Sequence, residues 1–195
     1  MSHDNTFRLI LLAWFLLLMP IGIYHRLRAG TGEKLDRRQE GIFILITLRL
    51  IGVGGIIGLI AYLISPANMA SASVPLPVWL RWTGVGLSGI AGLLLVWMLH
   101  TLGRNLTDTV VTRKEHTLVT TGPYRWVRHP FYTSAGVLVL GSSLTAANGF
   151  FFVAGCLMFL LLVIRTRKEE ENLIARFGDD YRAYMRRTGR FLPRL

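Results

Sequence analysis

The chain has 195 residues, of which 52% are hydrophobic and only 17% charged, yet 22 Lys+Arg against 11 Asp+Glu give it a net charge of +11. Average soluble domains carry about 25% charged residues. Here the apolar residues fall in long blocks and most basic residues lie between them. That distribution excludes a soluble basic domain, a disordered chain and a disulfide scaffold; the single Cys156 sits inside an apolar block and has no partner in the chain.

A membrane-crossing helix needs about 20 mostly apolar residues. Residues 7–24 form the first candidate, with Arg8 at the end, where it can snorkel. A signal peptide fits this block poorly. It has no basic n-region, and it is followed by Arg26, Arg28 and Glu33 instead of a small-residue cleavage site. Residues 42–64 and 78–99 are the second and third candidates. The last apolar block, 131–164, is too long for one straight span and short for two. Turn-forming residues from Ser142 to Gly149 break it. It reads as a tight helical hairpin, 131–143 and 148–164.

The expected fold is therefore all-α: one integral membrane domain over 1–195, a bundle of five transmembrane helices whose last two form a hairpin, with a cytoplasmic C-terminal helical segment. Continuous apolar blocks favour helices over the alternating strands of a barrel. Lys and Arg number five in 25–41, none in 65–77, five in 101–130, none in the hairpin turn and nine from Arg165 onward. If the N-terminus is outside, 19 of the 22 lie on one face, as the positive-inside tendency requires. This assigns 101–130 and 165–195 to the cytoplasmic side of a multi-pass protein. The basic face also suits anionic membrane lipids.

Gly84-Val85-Gly86-Leu87-Ser88-Gly89 matches a dinucleotide fingerprint in letters only. Within a span and without a βαβ context it reads as small-residue helix packing, like Gly54 and Gly58. Arg49, about seven residues into the second span, reads as snorkelling, with an anionic ligand as the alternative. His25 and His100 fall at span ends. No His or carboxylate pair has metal-ligand spacing, so no metal is expected. Trp126 and Tyr124 among basic residues sit in a short loop between spans, which argues against nucleic acid.

Two C-terminal segments stand apart. In the stretch from His116 to Tyr132, Pro130 suits the first turn of a helix. That places His129 at the helix start, where free N–H groups favour a carboxylate or phosphate. An interfacial aromatic-basic belt is the plainer alternative. In Arg165-Thr166-Arg167-Lys168-Glu169-Glu170-Glu171, Arg165 and Glu169 share a helix face. They form either a solvated ion pair or a site where Glu receives an ammonium and Arg holds a carboxylate through two parallel hydrogen bonds. An amphipathic segment, Phe177 to Met185, follows a Gly178 stop.

These segments resemble the isoprenylcysteine carboxyl methyltransferase family. The resemblance rests on His116-x-Leu118-Val119, Gly122-x-Tyr124, Arg128-His129-Pro130-x-Tyr132, Arg165-x-x-Lys168-Glu169-Glu170-Glu171, Phe177-Gly178-x-x-Tyr181-x-x-Tyr184 and Gly189-Arg190-x-x-Pro193. It implies S-adenosyl-L-methionine as methyl donor and a lipid-like, isoprenylcysteine-type acceptor that enters from the bilayer and is methylated on its carboxylate. The short chain resembles the compact prokaryotic branch of the family, which implies a prokaryotic inner membrane. By the same resemblance His116, Thr117, Leu118, Val119 and Tyr124 line the adenosine part. His129 and Tyr132 hold the amino-acid part. Glu169 contacts the donor, with Glu170 as its substitute if the register is off by one. Arg165 is the catalytic and substrate-binding residue that orients the acceptor carboxylate, and Arg128 belongs to the cofactor motif. The family commonly has Gly where this chain has Ser134, a change expected on the lipid-facing wall of the pocket. Two other activities share parts of these motifs: methylation of a phospholipid amine, which Arg165 disfavours, and an NADPH-dependent sterol-type reductase. A non-catalytic lipid-binding scaffold is the third alternative.

Overall fold

A computed structural model describes residues 3–29, 42–105 and 117–194. Its six α-helices are α1 (His3–Ala29), α2 (Ile42–Ile64), α3 (Val78–Leu102), α4 (Pro130–Ala146), α5 (Gly149–Phe177) and α6 (Asp179–Arg187). Short 3₁₀ turns occupy Pro66–Ala72, Gly103–Asn105 and Gly122–Arg125. No strand occurs among the described residues, only the isolated bridges Ser73–Asn148 and Val127–Gly189.

Among the described residues four helices are long and apolar enough to cross a membrane: Asp4–Ala29, Phe43–Ile64, Val78–Leu102 and Gly149–Phe177. Their outward faces carry large exposed apolar side chains such as Leu27, Phe43, Trp79 and Leu93. A bilayer accommodates such faces where water would not. The helix at 131–143 is found as Pro130–Ala146, 17 residues long. Only Ala147 and Asn148 connect it to α5: Ala147 takes a left-handed conformation, and the Asn148 side chain accepts a hydrogen bond from the Phe150 amide. The last apolar block, read as a span to residue 164, continues without a break into the polar segment that follows it. Helix α5 runs on to Phe177 and stops at Gly178, whose φ of 56° suits glycine.

The most extensive helix contact joins α3 to α4, and the apparent dinucleotide motif explains it. A Cβ on Gly84 would lie 2.6 Å from the Gly141 carbonyl oxygen and 2.7 Å from the Thr145 amide nitrogen. Ser88, one turn later, is fully buried. A Cβ on Gly89 would face the Trp14 ring of α1 instead. The small residues thus let α3 approach two neighbours closely, as the packing reading expects.

The third span is not free of charge. Arg81 is buried one turn before Gly84, donating from Nε to the Thr145 carbonyl at 3.1 Å and from Nη1 to Asp4 at 2.6 Å. Its guanidinium also lies 4.1 Å from the centre of the Phe7 ring. One side chain therefore ties α1, α3 and α4 together at the end of the bundle away from His129. Nearby, the Tyr62 hydroxyl donates to the Ala146 carbonyl, and Arg8 donates to that of Ile64.

Candidate functional site

At the opposite end, the start of α4 meets the polar extension of α5. Pro130 opens α4 as expected, with His129 as the residue before it. His129 is buried, and its ring stacks on Tyr132 with centroids 5.5 Å apart and planes 9° from parallel. From α5, Glu169 and Glu170 approach the two sides of the imidazole. His129 Nδ1 lies 3.9 Å from Glu169 Oε2, and His129 Nε2 lies 3.3 Å from Glu170 Oε1. The Tyr132 hydroxyl donates to Glu169 Oε2 at 2.8 Å.

The two neighbouring carboxylates are unequal. Glu169 keeps 29% of its side chain exposed, while Glu170 keeps 4%. Glu170 Oε1 accepts from Arg128 Nε at 2.9 Å, and Glu170 Oε2 pairs with Arg190. A buried carboxylate requires such compensation, because removing it from water is costly. Arg128 also donates from Nη1 to the carbonyls of Met185 and Thr188. Glu170 is thus engaged inside the protein by His129, Arg128 and Arg190.

The C-terminal segment folds back on this cluster. The Arg128 amide donates to the Gly189 carbonyl at 2.9 Å and the His129 amide to that of Arg190 at 3.1 Å, while the Gly189 amide returns to Trp126 at 3.2 Å. Thr133 Oγ1 donates to the Phe191 carbonyl at 2.7 Å, and the Phe191 ring lies 6.0 Å from that of His129. This geometry overturns the free-amide argument for the helix start. The His129 amide is taken by Arg190, and those of Tyr132 and Thr133 both donate to the His129 carbonyl. Pro130 has no N–H, so the dipole end of α4 offers few free donors.

Helix α6 and the turn at 122–125 complete the wall. Tyr184 donates to the Tyr124 carbonyl at 2.6 Å and receives Thr188 Oγ1 at its own carbonyl at 2.6 Å. Burial, then the Glu169 carboxylate and the Tyr184 phenol, push the Tyr124 phenol well above its usual range. Tyr124 therefore shares the electrostatic surroundings of Glu169. Burial likewise pushes Tyr184 up to about 12.

The other residues singled out by sequence are placed less uniformly. Arg165 is half-buried on α5, one turn before Glu169. Thr117 is exposed and its hydrogen bonds run to Asn105 beyond α3, while Leu118 and Val119 are half-buried. His116 lies outside the described residues. Ser134 is buried inside the bundle, 2% exposed. Arg190 and Phe191 were missed as site residues. Their signal was the Gly189-Arg190-x-x-Pro193 ending, which carried no indication of what it folds against.

Within the bundle lies a cavity of about 410 Å³ between α1, α2, α4 and α5, lined by Trp14, Leu18, Gly55, Leu138, Ser142 and Met158 among others. Its walls are almost wholly apolar. On α5 it begins at Met158, 11 residues before Glu169, about 16 Å at the helical rise of 1.5 Å per residue.

The long apolar helices and the acid–imidazole cluster at one end define a multi-pass membrane protein with a polar site at the edge of its bundle. Residues 84–175 match the model of the isoprenylcysteine carboxyl methyltransferase (ICMT) family. The chain is 33% identical over 118 residues to human protein-S-isoprenylcysteine O-methyltransferase, covering 59% of this chain and 42% of that one. It is 37% identical over 123 residues to the cobalt-zinc-cadmium resistance protein CzcN of Cupriavidus metallidurans, covering 59% and 55%. The solved structure of the eukaryotic intramembrane Ras methyltransferase ICMT shares the fold with a TM-score of 0.54 at 20% identity, over 82% of this chain and 54% of that one. Through residues 84–175 the chain is thus similar to the ICMT family. It spans about half the length of the curated relatives it matches.

Proposed function

We propose that the protein is an S-adenosyl-L-methionine-dependent methyltransferase that methylates the carboxylate of a lipid-like, isoprenylcysteine-type acceptor at the cytoplasmic face of a membrane. The observation that carries this reading is the meeting of His129, Tyr132 and Glu169 at the membrane edge, with Glu169 still partly open. In this reading α4, at 17 residues, is the fifth span, at the short end of what a bilayer accepts. The N-terminus is outside, and the basic loops and tail are inside.

The side chains suit the donor. The Glu169 carboxylate and the imidazole nitrogen beside it lie 3.9 Å apart, a spacing that an ammonium group can bridge when that nitrogen carries no hydrogen. His116, Thr117, Leu118, Val119 and Tyr124 form the adenosine side. When bound, the donor supplies a sulfonium methyl group to a nucleophile. The residues of the chain align the two partners and exclude water; such positioning contributes roughly 7–11 kcal/mol at best. Arg165 holds the acceptor carboxylate, which is already anionic and needs no general base. The apolar cavity receives the far end of the acceptor chain.

The test is transfer of labelled methyl from S-adenosyl-L-methionine, by detergent-purified protein, to a panel of lipid-like acids and amines. Methylation of acids, lost in Arg165→Ala, is the expected result. Transfer to amines alone would reassign the acceptor. Calorimetry that finds binding of NADPH but not of S-adenosyl-L-methionine would overturn the reading.

A further inference from the structure

Glu170 sits directly behind the proposed donor site with no oxygen turned toward it. It touches His129, Arg128 and Arg190, which belong respectively to the start of α4, the residue before it and the C-terminal segment. We propose that Glu170 is a positioning residue, which sets the proton of the His129 ring on Nε2 and latches segment 188–191 against the start of α4. The proposal rests on the methyl-transfer reading only for what the site binds.

The argument follows from hydrogen-bond chemistry. An ionised carboxylate only accepts, so the ring nitrogen that faces it must carry the hydrogen. Which nitrogen of an imidazole is protonated is set by the bond the other atom makes. His129 Nε2 is 3.3 Å from Glu170 Oε1, nearer than Nδ1 is to Glu169 at 3.9 Å. With one ring proton on Nε2, Nδ1 presents a lone pair beside the Glu169 carboxylate. The side facing the open carboxylate is then an acceptor pair, complementary to a group that brings N–H donors. The reverse tautomer would point a hydrogen at Glu169 and satisfy that carboxylate internally. Tyr132 fills only one oxygen of Glu169, so this choice decides how much accepting capacity is left.

The latch works through the same carboxylate. Arg128 and Arg190 approach different oxygens of Glu170. Arg128 also reaches the Thr188 carbonyl, and Arg190 offers its own carbonyl to the His129 amide. The ring is thereby held from behind by Glu170 and at its backbone by the returning chain. Phe191, carried on that chain, brings its ring to 6.0 Å from that of His129.

The experiment uses the full chain in detergent micelles, with nitrogen-15-labelled histidines and His129 assigned by substitution. The wild-type His129 resonances should show a protonated Nε2 and a bare Nδ1, and in Glu170→Gln they should move toward a mixture. The donor KM should rise about tenfold or more in Glu170→Gln, the scale of one lost charge-assisted bond, while kcat changes less than about threefold. Glu170→Asp should recover part of the loss. A proton on Nδ1 in the wild-type protein, or an unchanged donor KM in Glu170→Gln, would overturn the proposal. Should Glu170→Gln not fold, the wild-type resonance and Glu170→Asp decide. Wild-type protein that binds no S-adenosyl-L-methionine would remove the methyl-transfer reading alone, because the resonance needs no donor.

Discussion

The Tyr132 hydroxyl, on the first turn of α4, donates to Glu169 Oε2 of α5 over 2.8 Å. It fixes the one carboxylate of the cluster that is still partly open. In Tyr132→Phe that carboxylate should lose its orientation while the helices stay packed. A hydrogen bond to a charged, partly exposed group contributes about 1 kcal/mol, so S-adenosyl-L-methionine should bind roughly fivefold more weakly. Calorimetric titration checks this, and unchanged affinity would mean that Glu169 does not meet the donor.

Arg165 precedes Glu169 by one turn of the same helix. If it holds the acceptor carboxylate, Arg165→Ala should lower turnover by about 100-fold or more, the scale for losing one charge-stabilising donor. Donor affinity should stay nearly constant. Arg165→Lys should restore only part, because an ammonium lacks the planar fork. Equal loss of donor affinity and turnover would move Arg165 to the donor side.

Gly55 lines the apolar cavity, and a Cβ placed there would meet nothing within 4 Å. Gly55→Leu should therefore fold normally and occupy the space. Acceptors with long chains should lose about tenfold in kcat/KM, a loss expected for a blocked hydrophobic pocket, whereas short-chain acceptors should be spared. Steady-state kinetics with two chain lengths separates these outcomes; equal rates would show that the acceptor lies elsewhere.

Gly84 and Gly86 belong to the same glycine run but face different surroundings. Gly84 abuts the backbone of α4, while Gly86 has open space. Gly84→Leu should destabilise the protein by at least the roughly 1–3 kcal/mol of overpacking, and Gly86→Leu should be near neutral. Thermal unfolding in detergent reports the contrast, and equal melting temperatures would contradict the close approach.

Tyr184 links α6 to the 122–125 turn through the Tyr124 carbonyl. Burial pushes its phenol up to about 12, above the value of about 10 for an exposed tyrosine. The folded state holds this proton more tightly, so its contribution is complete below pH about 10 and is lost as pH rises toward 12. Tyr184→Phe should cost about 1 kcal/mol at neutral pH and flatten the alkaline side of the stability curve. A variant with the wild-type alkaline profile would place the titration elsewhere.

Helix existence was legible where apolar blocks were long, as at 42–64, whose bounds match those of α2. Pro130 marked the start of α4 and Gly178 the end of α5, because both act through local backbone geometry. Residue pairs far apart in sequence were not legible. Arg128 meets Glu170 across 42 positions and Thr188 across 60, and no local pattern encodes either meeting. Arg81 was hidden for a different reason. A single charge near a span end reads as snorkelling, whereas its partner Asp4 lies 77 positions away. Glu169 and Glu170 could not be told apart by spacing alone; burial separates them.

Helix α5 is unbroken from Gly149 to Phe177. The rod that crosses the bilayer is thus the same rod that carries Glu169 and Glu170. A membrane whose thickness differs from the apolar length of that rod makes it tilt or shift. Any such adjustment changes the height of the acidic pair above the lipid head groups, so membrane thickness is a mechanical input to the site.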